Sequence, residues 1–153
     1  KPIPRPAVLW AKYLAAVLSS LLVLLPAEAV GHVVAARGLG STQLLGGMLL
    51  ATTVGALAYC ALGVLLSLLM ARALLVGLAY ALLWEGAVVS VAPSASSLSI
   101  RGYTEGVLAA VLKGEGLDLT TRLGPVSATV LAAVVTLAAL VLAVRRLERM
   151  DIP

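Results

Sequence analysis

Residues 44–71 contain no charged side chain. A helix needs ~20 apolar residues, at 1.5 Å rise each, to cross the hydrocarbon of a bilayer. A run longer than that demands a helix whose backbone is satisfied internally and whose sides meet lipid or other apolar helices. Composition extends the constraint to the rest of the chain. Hydrophobic residues make up 61% and charged residues only 12%, and the mean hydropathy is +1.09. A soluble domain carries roughly a quarter charged residues, so about half of the usual wet surface is missing.

The other segments follow in order. Residues 1–12 place prolines at 2, 4 and 6, a spacing that forbids helix over the first positions and suits Pro6 to a helix's first turn. Lys1, Arg5 and Lys12 flank the segment, and Trp10 and Tyr13 suit a membrane interface. This predicts a membrane-surface stretch leading into a first span over 13–36, which contains Pro26, Glu28 and His32. A glycine-rich outer loop over 37–43 precedes the second span, 44–71. Arg72 alone separates it from a third span, 73–92, so a tight hairpin is expected there. A polar stretch covers 93–124, a fourth span 125–144 is stopped by Arg145 and Arg146, and a tail covers 145–153. Within the polar stretch Tyr103, Val107, Leu108, Val111 and Leu112 recur at spacings of three and four. That pattern predicts a short amphipathic helix at the outer interface, with a second short turn before Pro125. The expected architecture is all-α integral membrane: four transmembrane helices plus a short amphipathic exofacial helix.

Four crossings put both ends on one side. That side collects Lys1, Arg5, Lys12, Arg72, Arg145, Arg146 and Arg149. The other side holds Arg37, Arg101, Lys113 and Arg122, spread over longer loops that also carry acids. The positive-inside bias predicts cytoplasmic ends. The chain opens on Lys1 rather than methionine, and it is expected to be part of a longer protein.

Several function classes are excluded at this level. The net charge is +4, yet the basic residues stand singly between apolar blocks and form no phosphate-binding stripe, so no nucleic-acid partner is expected. Cys60 is the lone cysteine and reads as a small buried hydrophobe. One histidine excludes a multi-histidine metal site. Gly102-Tyr-Thr-Glu-Gly106 lacks the serine of a nucleophile elbow, and Gly114-Glu-Gly116 lacks the Lys-Ser/Thr of a phosphate-binding loop. No catalytic residue, cofactor or metal is expected on this chain.

What remains is a set of residues inside the spans. Glu28 and His32 lie one turn apart on one face, and an ionisable group within a span is a functional candidate by default. Their nearness to the end of the first span favours local pairing or a helix-end role over a proton relay. Glu85, beside Trp84, reads equally as a polar contact inside the bundle or as an interfacial residue anchored by its neighbour. Small residues recur every four positions in the second span, at Gly47, Ala51 and Gly55 and again at Gly63, Ser67 and Ala71, with Tyr59 filling the gap. Such a row lets backbones approach closely. Contact within the same bundle is the expected use, and a dimer or gate interface the alternative.

The order of these features is similar to that of a known family. Pro2-Ile-Pro-Arg-Pro-Ala-Val-Leu-Trp-Ala-Lys-Tyr-Leu-Ala15 resembles the segment before the third span of ABC-2 type permeases, the membrane subunits of ABC transporters. Tyr59-Cys-Ala-Leu-Gly-Val-Leu-Leu-Ser-Leu-Leu-Met-Ala-Arg72 resembles the end of that family's fourth span. Leu78-Ala-Tyr-Ala-Leu-Leu-Trp-Glu-Gly86 and Leu98-Ser-Ile-Arg-Gly-Tyr103 resemble its fifth span and the exofacial loop that follows. Ala11 departs from the glycine usual before the lysine. The resemblance covers essentially the whole chain and lacks only the family's first two spans and N-terminal helix. It implies an exporter subunit in a prokaryotic cell (inner) membrane, paired with a second permease subunit, the same or different, and with ATP-binding subunits that hydrolyse ATP. Carried over by residue, it implies a cytoplasmic coupling surface at Arg5, Trp10, Lys12 and Arg72. The rival class is a structural or assembly membrane protein without transport activity.

Overall fold

The computed structural model describes residues 5–35, 42–91, 98–113 and 123–149, and among these there is helix and short turn but no strand. Helix α1 (Arg5–Ala35) has Pro6 in its first turn, where a missing N–H costs nothing. It therefore takes in residues 7–12, ahead of the Tyr13 start implied by a surface segment. It also continues through Pro26. Helix α2 (Thr42–Leu69) ends in a turn at 70–72. From there α3 (Ala73–Ala79) runs into a wide-turned π-helical segment (Tyr80–Val88) and then α4 (Val89–Val91). Helix α5 covers Ile100–Leu112, and α6 (Pro125–Glu148) opens on its proline. Arg145 and Arg146 do not stop α6 but occupy its last turn, where cations oppose the helix dipole. The outer loop at 37–43 falls largely outside the described residues, as does the second turn expected before Pro125.

Among the described residues, three helical stretches are long and apolar enough to cross a membrane: Pro6–Val34, Thr42–Leu69 and Pro125–Glu148. The apolar run Ala73–Val88 is shorter. Helix α2 is the hub and packs against α1, α3, α5 and α6. It runs antiparallel to α1: Ser20 Oγ lies 3.7 Å from Cys60 Sγ, and Glu28, farther along α1, meets the earlier Thr52 of α2. The long Tyr13 side chain reaches across, its hydroxyl donating to the Leu57 carbonyl at 3.2 Å. One apolar cluster joins Leu9, Tyr13 and Val17 to Ala61 of α2 and to Ala139, Leu140 and Ala143 of α6. A second joins Ala58, Ile100, Tyr103 and Ala132.

The pattern of burial identifies the solvent. The fully buried residues include Ala58, Ala61, Ala128 and Ala143, all at 0% exposure, while Leu22 and Leu74 are 77% exposed and Val126 75%. In water that distribution would leave many large apolar side chains wet while alanine methyl groups fill much of the core. In lipid it is the favourable arrangement, because small residues let helices approach and large ones lose nothing by facing hydrocarbon.

The small-residue row divides in two. A methyl group on Gly47 would meet Leu108 Cδ1 at 3.1 Å and Val111 Cβ at 3.2 Å, and one on Gly55 would meet Thr104 Cγ2 at 3.0 Å. With the buried Ala51 between them, these residues form the bed on which α5 lies. Gly63 has nothing within 4 Å of its missing methyl, and Ser67 is exposed and bonds back to the Val64 carbonyl. Gly63→Ala is therefore expected to be neutral or stabilising, by up to about 1 kcal/mol of helix propensity. Gly55→Leu should lower the melting temperature in detergent and open α5 to protease. Equal melting of the two variants would contradict this division.

Candidate functional site

The described residues bring their densest polar contacts together around Glu85, which is 6% exposed. It is carried by the π-helical segment, where the Val89 N–H reaches back five residues to the Trp84 carbonyl. Hydrogen bonding at that spacing brings residues five apart onto one face. Tyr80 and Glu85 thereby point the same way, which α-helical periodicity would not give.

Two neighbouring elements converge on the carboxylate. From α2, the Tyr59 hydroxyl donates to Oε2. Oε1 accepts from the backbone N–H of Ile100 at 2.8 Å, from that of Arg101 at 3.3 Å, and from the Ser99 hydroxyl at 3.4 Å. Ser99 in turn caps α5 by accepting from the Gly102 N–H at 3.3 Å. The first N–H groups of a helix have no partner within it, and Glu85 with Ser99 supplies acceptors for three. The Tyr80 hydroxyl donates to the Leu98 carbonyl at 3.1 Å, holding the approach to that cap. The Glu85 carboxyl group also sits at the positive end of the helix dipole.

This cap lies deep in the bundle. Tyr59 is ~15 Å along α2 from Leu69, at 1.5 Å per residue. Helix α5 starts beside Ala58, passes Gly55 at Thr104 and reaches Gly47 at Leu108 and Val111. It is a half-length helix beginning at mid-bundle and running toward the Thr42 end. Its buried face includes Ile100, Tyr103, Gly106, Val107, Ala109 and Leu112. Leu108 and Val111, from the predicted apolar face, are partly buried against Gly47.

Glu28 is not paired with His32. Among the described residues the ion pair formed is Arg101–Glu105, at 2.8 Å on the exposed side of α5. Glu28 Oε1 instead accepts from the Thr52 hydroxyl across α2, and Oε2 is buried without a hydrogen-bond partner. A neighbouring helix offered a hydroxyl at the right level, and the local pairing expected from one-turn spacing lost to it. His32 is partly buried in the last turn of α1. Trp84 does not anchor an exposed Glu85; its Nε1 is buried and without a partner among the described residues.

The predicted coupling residues share the other end of the bundle. Trp10 stacks edge-on to Tyr13 at 5.9 Å and lines a shallow cleft with Leu140, Val144 and Arg145 of α6. Lys12 is exposed on α1, and the exposed Arg72 lies in the turn before α3. Arg5 begins α1, and its side chain is outside the described residues. Arg145, Arg146 and Arg149 line a further cleft with Leu65 and Leu69, so this end of the bundle is basic.

Crossing-length apolar helices on an alanine and glycine core define the class as a multi-pass, all-α membrane protein. Comparison with family models, curated proteins and solved structures finds no match to the chain.

Proposed function

We propose that the chain is the membrane-embedded part of a transport protein, the permease subunit of an ABC exporter. The observation that carries the transport reading is the start of α5 at mid-bundle with a carboxylate on its first N–H groups. Non-helical backbone at membrane depth is tolerated only where protein or a water-filled cavity surrounds it, as at substrate paths. A purely structural bundle has no need of it. The ABC assignment rests on the resemblance of the segments ending at Ala15, Arg72, Gly86 and Tyr103.

In this reading residues 73–91 are a fourth crossing. Helix α6 starts on the same half of α2 as α5, with Ala128 against Gly106, and ends with Arg145 and Arg149 beside Leu69. Helices α2 and α6 thus run in the same direction, so the chain between them returns along the bundle. The basic end, carrying Lys12, Arg72 and Arg145, is the cytoplasmic one under the positive-inside bias. Helix α5 enters from the outer side. ATP-binding subunits at the cytoplasmic end, and a second permease subunit, complete the machine, which works by alternating access in a prokaryotic cell membrane.

Affinity purification from native membranes is expected to bring down an ATP-binding subunit and a permease partner. Replacing Arg5 and Lys12 by alanine should reduce substrate-stimulated ATP hydrolysis roughly five- to a hundredfold, the range of coupling free energies of about 1–3 kcal/mol. An assembled complex with unchanged stimulation would remove the coupling role. Recovery of the chain without any ATPase would favour the structural rival.

A further inference from the structure

Glu28 is the polar group of the described bundle whose bonding is half finished. Its Oε1 is taken by Thr52 of α2, and its Oε2 is buried with no donor in reach among the described residues. A carboxylate oxygen left unpaired in an apolar setting is costly, and intramembrane acids are held where a partner compensates them. Among the described residues no cationic side chain lines its surroundings.

Those surroundings are an open cavity, a cleft of about 440 Å³ between α1, α2 and α5. Cavities of roughly 300–1,000 Å³ hold drug-sized ligands. Leu24 and Leu108 give it apolar walls, Thr52 places its hydroxyl on Glu28, and Ser20 and Thr104 are further polar residues of the lining. The cavity thus offers one negative charge, a few hydrogen-bonding groups and an otherwise apolar lining. A neutral lipid tail would leave the carboxylate uncompensated, and an anion would be repelled by it.

We propose that this cavity is a binding site for an amphiphilic organic cation, with the cationic nitrogen or its N–H donors directed to the Glu28 carboxyl group and the apolar body against Leu24 and Leu108. The site is defined by this chain's own residues and stands whether or not the chain works with an ATPase.

The test uses the full chain in nanodiscs and ethidium, a permanently cationic ring system bearing amino donors, with empty nanodiscs as the partition control. Saturable binding, read by fluorescence anisotropy, is the expected result. Glu28→Gln should weaken it at least roughly tenfold, equivalent to about 1.4 kcal/mol. Leu108→Trp, which fills the cavity and leaves Glu28 intact, should abolish it. Ethidium should also raise the melting temperature of the unaltered protein, a readout that holds even if a variant folds poorly. Four results would overturn the proposal. They are no saturable or stabilising effect of ethidium, binding unchanged in Glu28→Gln, binding unchanged in Leu108→Trp, and equal Glu28-dependent binding of the anion 8-anilinonaphthalene-1-sulfonate.

Discussion

Replacing Glu85 by leucine is expected to detach the start of α5 and to lower the melting temperature of the detergent-solubilised protein sharply. The leucine would remove the acceptor shared by the Ile100 and Arg101 N–H groups, the Ser99 hydroxyl and the Tyr59 hydroxyl, while leaving all four donors where they are. A buried donor stripped of its acceptor costs about 1–3 kcal/mol, and in lipid no water enters to repair the loss. Relaxation of the α5 start would spare part of that cost, so the net destabilisation should be about 3–5 kcal/mol, as for breaking a buried charged network. Glu85→Gln keeps the volume and one carbonyl acceptor, so it should fall between leucine and the unaltered protein. Hydrogen exchange provides the specific readout. The Ile100 and Arg101 amides should lose protection in Glu85→Leu well before amides of α2 do. A Glu85→Leu protein with unchanged melting and unchanged exchange at Ile100 would show that the cap does not hold α5.

How much of this was readable beforehand depends on the range of the interaction. The uncharged run 44–71, the tight hairpin at Arg72 and the apolar segment after Pro125 announce themselves because crossing a bilayer is a local demand on composition. The spacing of Tyr103, Val107 and Leu112 likewise marks a helical face whatever that face meets. The site escapes such reading for three physical reasons. The partners of Glu85 are backbone N–H groups of Ile100 and Arg101, which carry no residue-type signature. The π-helical turns realign Tyr80 with Glu85, whereas the usual 3.6-residue period separates them. And the one-turn spacing of Glu28 and His32 says nothing of Thr52, which the antiparallel packing of α1 on α2 brings opposite. A clue was present in Ser99, a good cap residue directly before an apolar-periodic stretch. It marks where α5 starts, though not that a glutamate completes the cap.

Gly106 supplies the other large expected effect, and one that composition alone hides, because a glycine inside a short helix reads as a weak point rather than a contact. A methyl group there would lie 2.5 Å from Ala128 Cβ and 3.4 Å from the Leu123 carbonyl oxygen. Carbon atoms prefer separations of about 3.5–4.0 Å, so Gly106→Ala must push α5 and α6 apart by roughly an ångström. Alanine in a helix gains up to about 1 kcal/mol over glycine, but overpacking of this kind costs typically about 1–3 kcal/mol. The net change should therefore be destabilising, opposite in sign to Gly63→Ala on the open face of α2. Gly106→Leu should prevent docking of α5 altogether. Removing the opposing methyl with Ala128→Gly should rescue Gly106→Ala, with a favourable coupling of about 0.5–3 kcal/mol in a double-mutant cycle measured by thermal melting. The rescue is the decisive arm, since simple loss of stability has many causes and only facing residues restore each other. Additive effects of the two substitutions would mean that α5 does not press on α6. The Glu85 cap would then close a helix with only one wall behind it, too loosely held to keep a carboxylate dry at mid-bundle.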